Sequence, residues 1–368
     1  MTDVLMLVQY RYLPPKMGGQ KCIALFNDFF SEQSALCCIC TKDNDTSLVK
    51  KYELLPLLST SRLRYINIGY FFTLKKIIAE KKPSHLIVVH PYYGWMGMLL
   101  KRFTKIKLVI QSQNIEGARF KSMGKWWWGI MWHYEKLTHK TADQNFFITN
   151  EDRDFAIDKF ALSPEKCHII TYGIENDKLP SAAEKEKAKA TLQQTHGINA
   201  DEKILLFNGS LDYQPNLTAI DNILNDINPL LLESGFRYKI VICGKGLPAK
   251  YNNLQDFAGK NIIYTGFVDD ISLYFKGADI FINPVIDGGG IKTKLVEALG
   301  NNLTSISTRS GAAGVPVSVT GTKLYITDNW QDFVTAITTA HATADTPDAF
   351  FEHFYWGNIA AKAKSIIS

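Results

Sequence analysis

The chain has 368 residues, 46% of them hydrophobic and 21% charged, with a formal net charge of +5. Disordered, collagen-like and coiled-coil chains are excluded by that balance, and the length fits about two domains of roughly 150 residues each. No uninterrupted apolar run reaches the roughly 18 residues of a membrane-spanning helix, because the best stretch, 86–100, is broken by His90 and Pro91.

The first strand-like run, 4–8, starts directly at the N-terminus without a basic stretch or cleavage site, so no secretory signal is expected. Further runs follow at 35–40, 86–89, 107–110, 145–148 and 168–171. Helical patterns lie among them at 19–30, 95–103, from about 125, and at 151–160. Residues 172–180 are polar and turn-rich, and a Lys/Glu/Ala helix is expected over 182–194, which places a domain boundary near 175. Strand-like runs resume at 204–208, 239–243, 262–264, 280–283, 304–307 and 323–326, with helices at 215–232 and 292–299. Val- and Ile-rich runs with little polar alternation are expected of parallel strands buried on both faces. Strand and helix in alternation predict two doubly wound α/β domains facing each other across a cleft, with ligands beyond the carboxyl ends of the strands.

Charge is uneven. Residues 1–175 carry 24 Lys and Arg against 16 Asp and Glu, and the remainder carries 17 against 20. The first half therefore points to an anionic partner, a membrane surface or phosphorylated acceptor. Nucleic acid is not expected, since there is no base-reading helix, zinc finger or aromatic RNA-binding signature. Cys22, Cys37, Cys38, Cys40, Cys167 and Cys243 mostly lie in apolar runs and read as reduced core residues of a cytosolic protein. No metal site is expected: Cys37, Cys38 and Cys40 lack zinc spacing, and neither Asp43-Asn-Asp45 nor Asp152-Arg-Asp154 follows a strand suitably.

The strongest motif runs from Ile282 to Gly300. A buried strand ends near Pro284, and Gly288, Gly289 and Gly290 open a helix carrying Lys292, Lys294 and Glu297. Glycines let the backbone approach a ligand, and free N–H groups at a helix start attract phosphate. Glu297 is placed to accept ribose hydroxyls. The alternative is a tight strand-to-helix turn with a solvated glutamate. Gly209-Ser210 and Gly244-Lys-Gly246 follow the preceding strands; each alone reads better as a plain turn, but three such turns in one domain point to a nucleoside-diphosphate cradle. In the first half, Gly18 and Gly19 follow the first strand, a phosphate loop or equally a bare turn. His90 ends a strand, as a site residue or a structural one, and the 111–116 run brings Asn114 and Glu116 to the same edge.

These residues resemble those of the retaining glycosyltransferases of the GT-B fold, family 4 type (glycosyl transferases group 1), known from bacteria. The likeness covers nearly the whole chain and is most specific from Tyr264-Thr-Gly-Phe-Val-Asp-Asp through Glu297. It implies two Rossmann-like domains: 1–175, joined by a C-terminal helix at about 350–368, on the acceptor side, and 176–349 holding the nucleotide-sugar donor. It implies transfer of a hexose to an acceptor hydroxyl with retention, without metal or other cofactor, in surface polysaccharide or glycoconjugate synthesis. Donor binding falls on Gly18, Gly19, Gly209, Ser210, Phe267, Gly288, Gly289, Gly290, Ile291, Lys292 and Glu297, and catalysis on His90, Glu116 and Lys294. Three positions depart from the family. Gly289 replaces the first glutamate of its pair, Gln113 replaces a histidine, and Ser210 and Asn216 stand where an Arg and a Lys usually lie. Lys292 or Lys294 would then supply the missing charge. The rivals are a non-catalytic binder of nucleotide sugar or glycan, and a sugar-nucleotide epimerase.

One segment remains. As a helix from about 125, residues 120–140 put Trp127, Ile130, Met131, Tyr134 and Leu137 on one apolar face, expected to pack on the core. Trp126, Trp128 and Trp132 are left over among lysines, which suits either an aromatic core helix or contact with an inner-membrane surface or lipid-linked acceptor. Localisation is expected to be cytoplasmic, at most peripheral to that membrane.

Overall fold

The computed structural model describes residues 2–340 and 344–368. The chain forms two compact units, Met1–Glu175 with Trp356–Ser368, and Asn176–Tyr355.

The first unit runs β1 (Val4–Leu7), α1 (Gly18–Ser31), β2 (Leu36–Thr41), β3 (Glu53–Leu58), α2 (Gly69–Lys81), β4 (His85–Val89) and α3 (Gly94–Thr104). It continues through β5 (Lys107–Ser112), α4 (Glu116–Ser122), α5 (Trp128–Thr141), β6 (Gln144–Phe147), α6 (Asn150–Phe160) and β7 (Cys167–Ile169). The strands make one parallel sheet in the order β3-β2-β1-β4-β5-β6-β7. Every residue of β1 and β4 is buried, which is why these runs show no alternation. Each large apolar side chain so buried contributes about 1.5–3 kcal/mol. The edge strand β3 was not among the expected runs. Its sequence, Glu-Leu-Leu-Pro-Leu-Leu, contains Pro56 and is mostly half-buried, and proline within a run argues against a strand except at an edge.

The second unit holds α7 (Ala182–His196), β8 (Lys203–Asn208), α8 (Gln214–Asn222), α9 (Asn228–Glu233), β9 (Tyr238–Cys243), β10 (Ile262–Gly266) and α10 (Ile271–Gly277). Then come β11 (Ile280–Asn283), α11 (Thr293–Gly300), β12 (Thr304–Ser307), β13 (Leu324–Ile326), α12 (Trp330–Thr339) and α13 (Asp348–Phe354). Its parallel sheet has the order β10-β9-β8-β11-β12-β13. The chain therefore leaves β8 toward one edge and β11 toward the other. That reversal opens a crevice at the carboxyl ends of β8 and β11, the usual ligand position in such sheets. The first sheet has its reversal at β1 and β4.

Two expectations change in detail. The helix expected over 350–368 is two: α13, in the second unit, and α14 (Trp356–Ile366), in the first. Tyr355 is extended between them, and the Trp356 N–H donates to the Ile174 carbonyl at 3.0 Å. Trp356 is fully buried, edge-on to Phe26 and Tyr172. The helix expected from about 125 starts at Trp128 and turns a different face inward. Ile130 and Leu137 are exposed, whereas Met131, Glu135, Thr138 and His139 are buried. Close approach and hydrogen bonding choose that face: Thr138 fills the space a Cβ on Gly94 would need, and His139 Nδ1 meets Asn145 Oδ1 at 2.8 Å. Apolar periodicity is blind to polar side chains with built-in partners. Trp132 packs edge-on to Phe155 and Phe160, and Trp127 lies on Phe120.

Candidate functional site

In the second unit, the four residues of β11 are all buried, and the chain emerges at the crevice end. Gly288 and Gly290 adopt φ of 91° and 74°, which only glycine takes up at little cost. Lys292 folds back over the turn, and its Nζ donates to the carbonyls of Gly288 (2.6 Å), Gly290 (3.0 Å) and Gly289 (3.4 Å). With the carbonyls drawn to one ammonium, the N–H groups of residues 288–291 are left without a protein acceptor among the described residues. The first turn of α11 follows directly, adding the positive end of the helix dipole, while its Leu295 amide donates to the Lys292 carbonyl at 2.9 Å.

Lys294 is buried. Its Nζ lies 3.0 Å from Asn216 Oδ1 and 4.0 Å from the centre of the Phe207 ring. Asn216 Nδ2 donates to the Ser210 carbonyl at 2.8 Å and covers Gly209, where a Cβ would meet it at 2.7 Å. Asn216 thus ties the turn after β8 to α11. Burial pushes the Lys294 ammonium down to about 7, helped by the charge of Lys292, and burial pushes Lys292 down to about 8. Neither lysine makes an ion pair among the described residues. A cationic pocket without a carboxylate is prepared for an anion.

The neighbouring turns join the same edge. Gly209 N donates to the Cys243 carbonyl, and Gly244 N to that of Gly266. A Cβ at Gly244 would sit 1.9 Å from the Gly209 carbonyl, so glycine is required there. Phe267 is exposed just past β10, and Glu297 is half-buried one turn along α11 from Thr293. The Ser210 hydroxyl donates to Asp212 Oδ1 at 2.6 Å.

In the first unit the strand ends carry a different chemistry. His90 has φ 58°, a left-handed backbone that costs a non-glycine residue about 1–3 kcal/mol and collects at functional sites. Its Nδ1 lies 3.3 Å from Glu116 Oε1 and its Nε2 3.2 Å from the Tyr10 hydroxyl. The other Glu116 oxygen accepts from the Tyr92 hydroxyl (2.6 Å) and from Arg119 Nε (2.9 Å) and Nη2 (2.6 Å). Burial alone would raise the Glu116 carboxyl, but His90, Tyr92 and Arg119 outweigh it and hold it at about 2. Glu135 accepts from the N–H groups of Glu116 and Gly117 at 2.9 and 2.7 Å, capping α4 from below. Burial pushes Glu135 up to about 8 against those two bonds. Gly18 and Gly19 open α1 beside Gln113, whose Nε2 donates to the Gly19 carbonyl at 3.3 Å.

Gly209, Ser210, Gly288, Gly289, Gly290, Ile291, Lys292 and Lys294 therefore gather on one edge through Asn216, with Phe267 reached through Gly244 and Gly266. His90 and Glu116 gather on the first unit's edge. Both Glu116 oxygens are engaged inside their own unit, which makes it a positioning group for His90 and Arg119. Asn216, Tyr10, Tyr92 and Arg119 were missed as site residues. Arg119 had a signal, being three residues after Glu116 on a helix; the contacts Tyr10–His90, Tyr92–Glu116 and Asn216–Lys294 span 80, 24 and 78 residues. No cluster of three His, Cys, Asp or Glu among the described residues is arranged to hold a metal ion.

Comparison with known proteins agrees with this architecture. The profile for Glycosyltransferase Family 4 matches residues 38–178, and that for Glycosyl transferases group 1 matches residues 202–342. An uncharacterised 44.6 kDa protein in the cps region of Klebsiella pneumoniae is 28% identical over 72% of this chain and 64% of its own length. Chitobiosyldiphosphodolichol beta-mannosyltransferase of Debaryomyces hansenii is 24% identical over 71% of this chain and 60% of its own. The match thus spans under two thirds of either relative. Among solved structures, sucrose-phosphate synthase from Thermosynechococcus elongatus superposes with a TM-score of 0.72 at 13% identity, covering 99% of this chain and 98% of that one. The Anabaena protein HepE in complex with UDP gives 0.72 at 14% identity, again over 99% and 98%. Two parallel Rossmann-like sheets, with both halves matched to these profiles, place the chain among the group 1 glycosyltransferases of the GT-B fold.

Proposed function

We propose that this protein transfers a hexose from a nucleoside diphosphate sugar to an acceptor hydroxyl, with retention and without metal, in the synthesis of a surface polysaccharide or glycoconjugate. The observation that carries the reading is the turn at 288–291, whose amides are unpaired among the described residues and lie beside two lysines with no acid partner among them. The diphosphate takes those amides and the Lys294 ammonium, and Glu297 accepts from the ribose hydroxyls. The neighbour HepE binds UDP, which supports a nucleoside diphosphate as leaving group.

Reaction follows on the donor's front face. The acceptor oxygen bonds to the anomeric carbon as the bond to the diphosphate breaks, and the acceptor proton passes to a diphosphate oxygen. No side chain need act as nucleophile; fixed amides and ammonium groups stabilise the charge that develops on the diphosphate. The first unit supplies the acceptor side, with His90 as its hydroxyl-binding group.

A thermal-shift screen of UDP, GDP, ADP, CMP and dTDP, followed by donor turnover, tests this. The matching nucleoside diphosphate raises stability by about 2.7 kcal/mol at a hundredfold excess over its dissociation constant, and the protein then slowly releases free sugar from the corresponding donor. Binding without turnover in any acceptor mixture would leave only a binding protein, and a product still attached to its nucleotide would indicate an epimerase.

A further inference from the structure

The amphipathic pattern of the first unit leaves apolar side chains outside as well as inside. α2 buries Phe71, Leu74 and Ile78 toward the sheet, yet Leu63, Ile66, Ile68, Phe72 and Phe103 are between 53% and 76% exposed. They are one patch. The Phe71 ring lies 5.3 Å from Phe72 and 5.8 Å from Phe103, so both exposed rings share one buried neighbour. The Lys75 ammonium sits 5.9 Å from the centre of the Phe103 ring.

The charge around the patch has one sign. From Leu54 to Ile115 there are ten Lys and Arg and a single acid, Glu80. Lys76 pairs with Glu80, Lys81 with Glu53 and Lys101 with Asp143. Arg62, Lys75, Arg102 and Lys105, which border the apolar side chains, make no ion pair among the described residues. α3 packs against both α2 and α5. Trp126, which is 85% exposed, and Ile130 therefore extend the same helical layer.

We propose that the outer surface of α2 and α3 docks on an anionic phospholipid bilayer, with Ile66, Ile68, Phe72 and Phe103 entering the headgroup boundary and the surrounding Lys and Arg meeting phosphates. Apolar insertion and basic attraction together are what interfacial binding needs. A second copy of the chain would bring the same positive charge against itself, which disfavours a symmetric dimer through this patch. Among the described residues no helix is long and apolar enough to cross a membrane, so the contact is superficial.

Sedimentation with vesicles tests the proposal. Wild-type protein pellets with vesicles of phosphatidylglycerol and phosphatidylcholine, stays in solution with phosphatidylcholine alone, and is released as salt shortens the screening length. The double variant Phe72→Ser, Phe103→Ser lowers partitioning by about tenfold or more, while its thermal midpoint and nucleotide response stay at wild-type values, since both rings are exposed. Trp126→Ser lowers partitioning less. Wild-type protein that remains in the supernatant with anionic vesicles at low salt overturns the proposal. So does a double variant that pellets like wild type, or a vesicle-free dimer that the double variant dissolves.

Discussion

The strand ends of the two units use charge in opposite ways. In the first, Glu116 is saturated by His90, Tyr92 and Arg119, and its carboxyl is held at about 2. In the second, Lys292 and Lys294 pair with no carboxylate among the described residues, and burial brings them down to about 8 and 7. A paired charge fixes geometry, because removing either partner strands the other in low dielectric. An unpaired, partly desolvated charge waits for a ligand that completes it. The first cluster is therefore wired for position and the second for binding, and substitutions at the two should separate stability from affinity.

The largest effect is expected at Glu116. Glu116→Ala leaves His90 and Arg119 without their anion and should cost about 3–5 kcal/mol of unfolding free energy, read from urea denaturation. Acid gives the same test in wild type. Because the folded carboxyl lies at about 2 against an ordinary value of 4.5, its contribution, about 3 kcal/mol, is complete above about pH 4.5 and is lost as pH falls through about 2. Glu116→Gln should flatten that limb of the stability profile. A Glu116→Ala protein as stable as wild type would break the contrast from the first unit's side.

The next effects fall on affinity and leave the fold alone. With Glu297 as the proposed acceptor of the ribose hydroxyls, Glu297→Ala removes bonds each worth roughly 1.5–3 kcal/mol, so nucleotide dissociation constants from calorimetry should rise at least about tenfold. Lys294→Met should weaken the nucleoside diphosphate by a smaller factor and hardly change the bare nucleoside. As the proposed diphosphate contact, Lys294 would act only while protonated, and burial brings its ammonium down to about 7 in the free protein. Affinity for the diphosphate should therefore fall as pH rises from about 6 to about 8, and Lys294→Met should remove that slope. Equal losses for nucleoside and diphosphate would take Lys294 off the phosphates.

What the sequence disclosed follows from locality. Buried parallel strands announce themselves as unbroken Val and Ile runs, and the 288–297 motif is contiguous, so the sheets and the glycine turn were legible. β3 was hidden by Pro56 at an edge. The inward face of α5 was misread because Glu135 and His139 are buried for their hydrogen bonds, which hydrophobic spacing does not register. The link from Lys294 to Asn216 spans 78 residues, and Tyr10 reaches His90 across 80; only folding brings such pairs together. The exposed side chains of α2 and α3 look like core in sequence, since an apolar residue carries no mark of which way it points.

The smallest effect, and the finest test of the contrast, lies at Gly289, where the family resemblance leads one to expect a glutamate. Gly288 and Gly290 need their positive φ, so alanine there should cost about 1 kcal/mol or more through backbone strain. Gly289 has no such φ, and a Cβ built on it meets nothing within 4 Å. Gly289→Ala should therefore leave stability within about 0.5 kcal/mol of wild type, as exposed substitutions away from special features do. Nucleoside diphosphate affinity should also hold, because the amide of residue 289 survives. The full nucleotide sugar should distinguish the variants: Gly289→Glu adds a carboxylate beside the amides proposed for the diphosphate, and it should alter affinity for the sugar-bearing donor relative to the bare diphosphate. If Gly289→Glu changes both ligands equally, the turn reads only phosphate, and the sugar is held elsewhere in the protein.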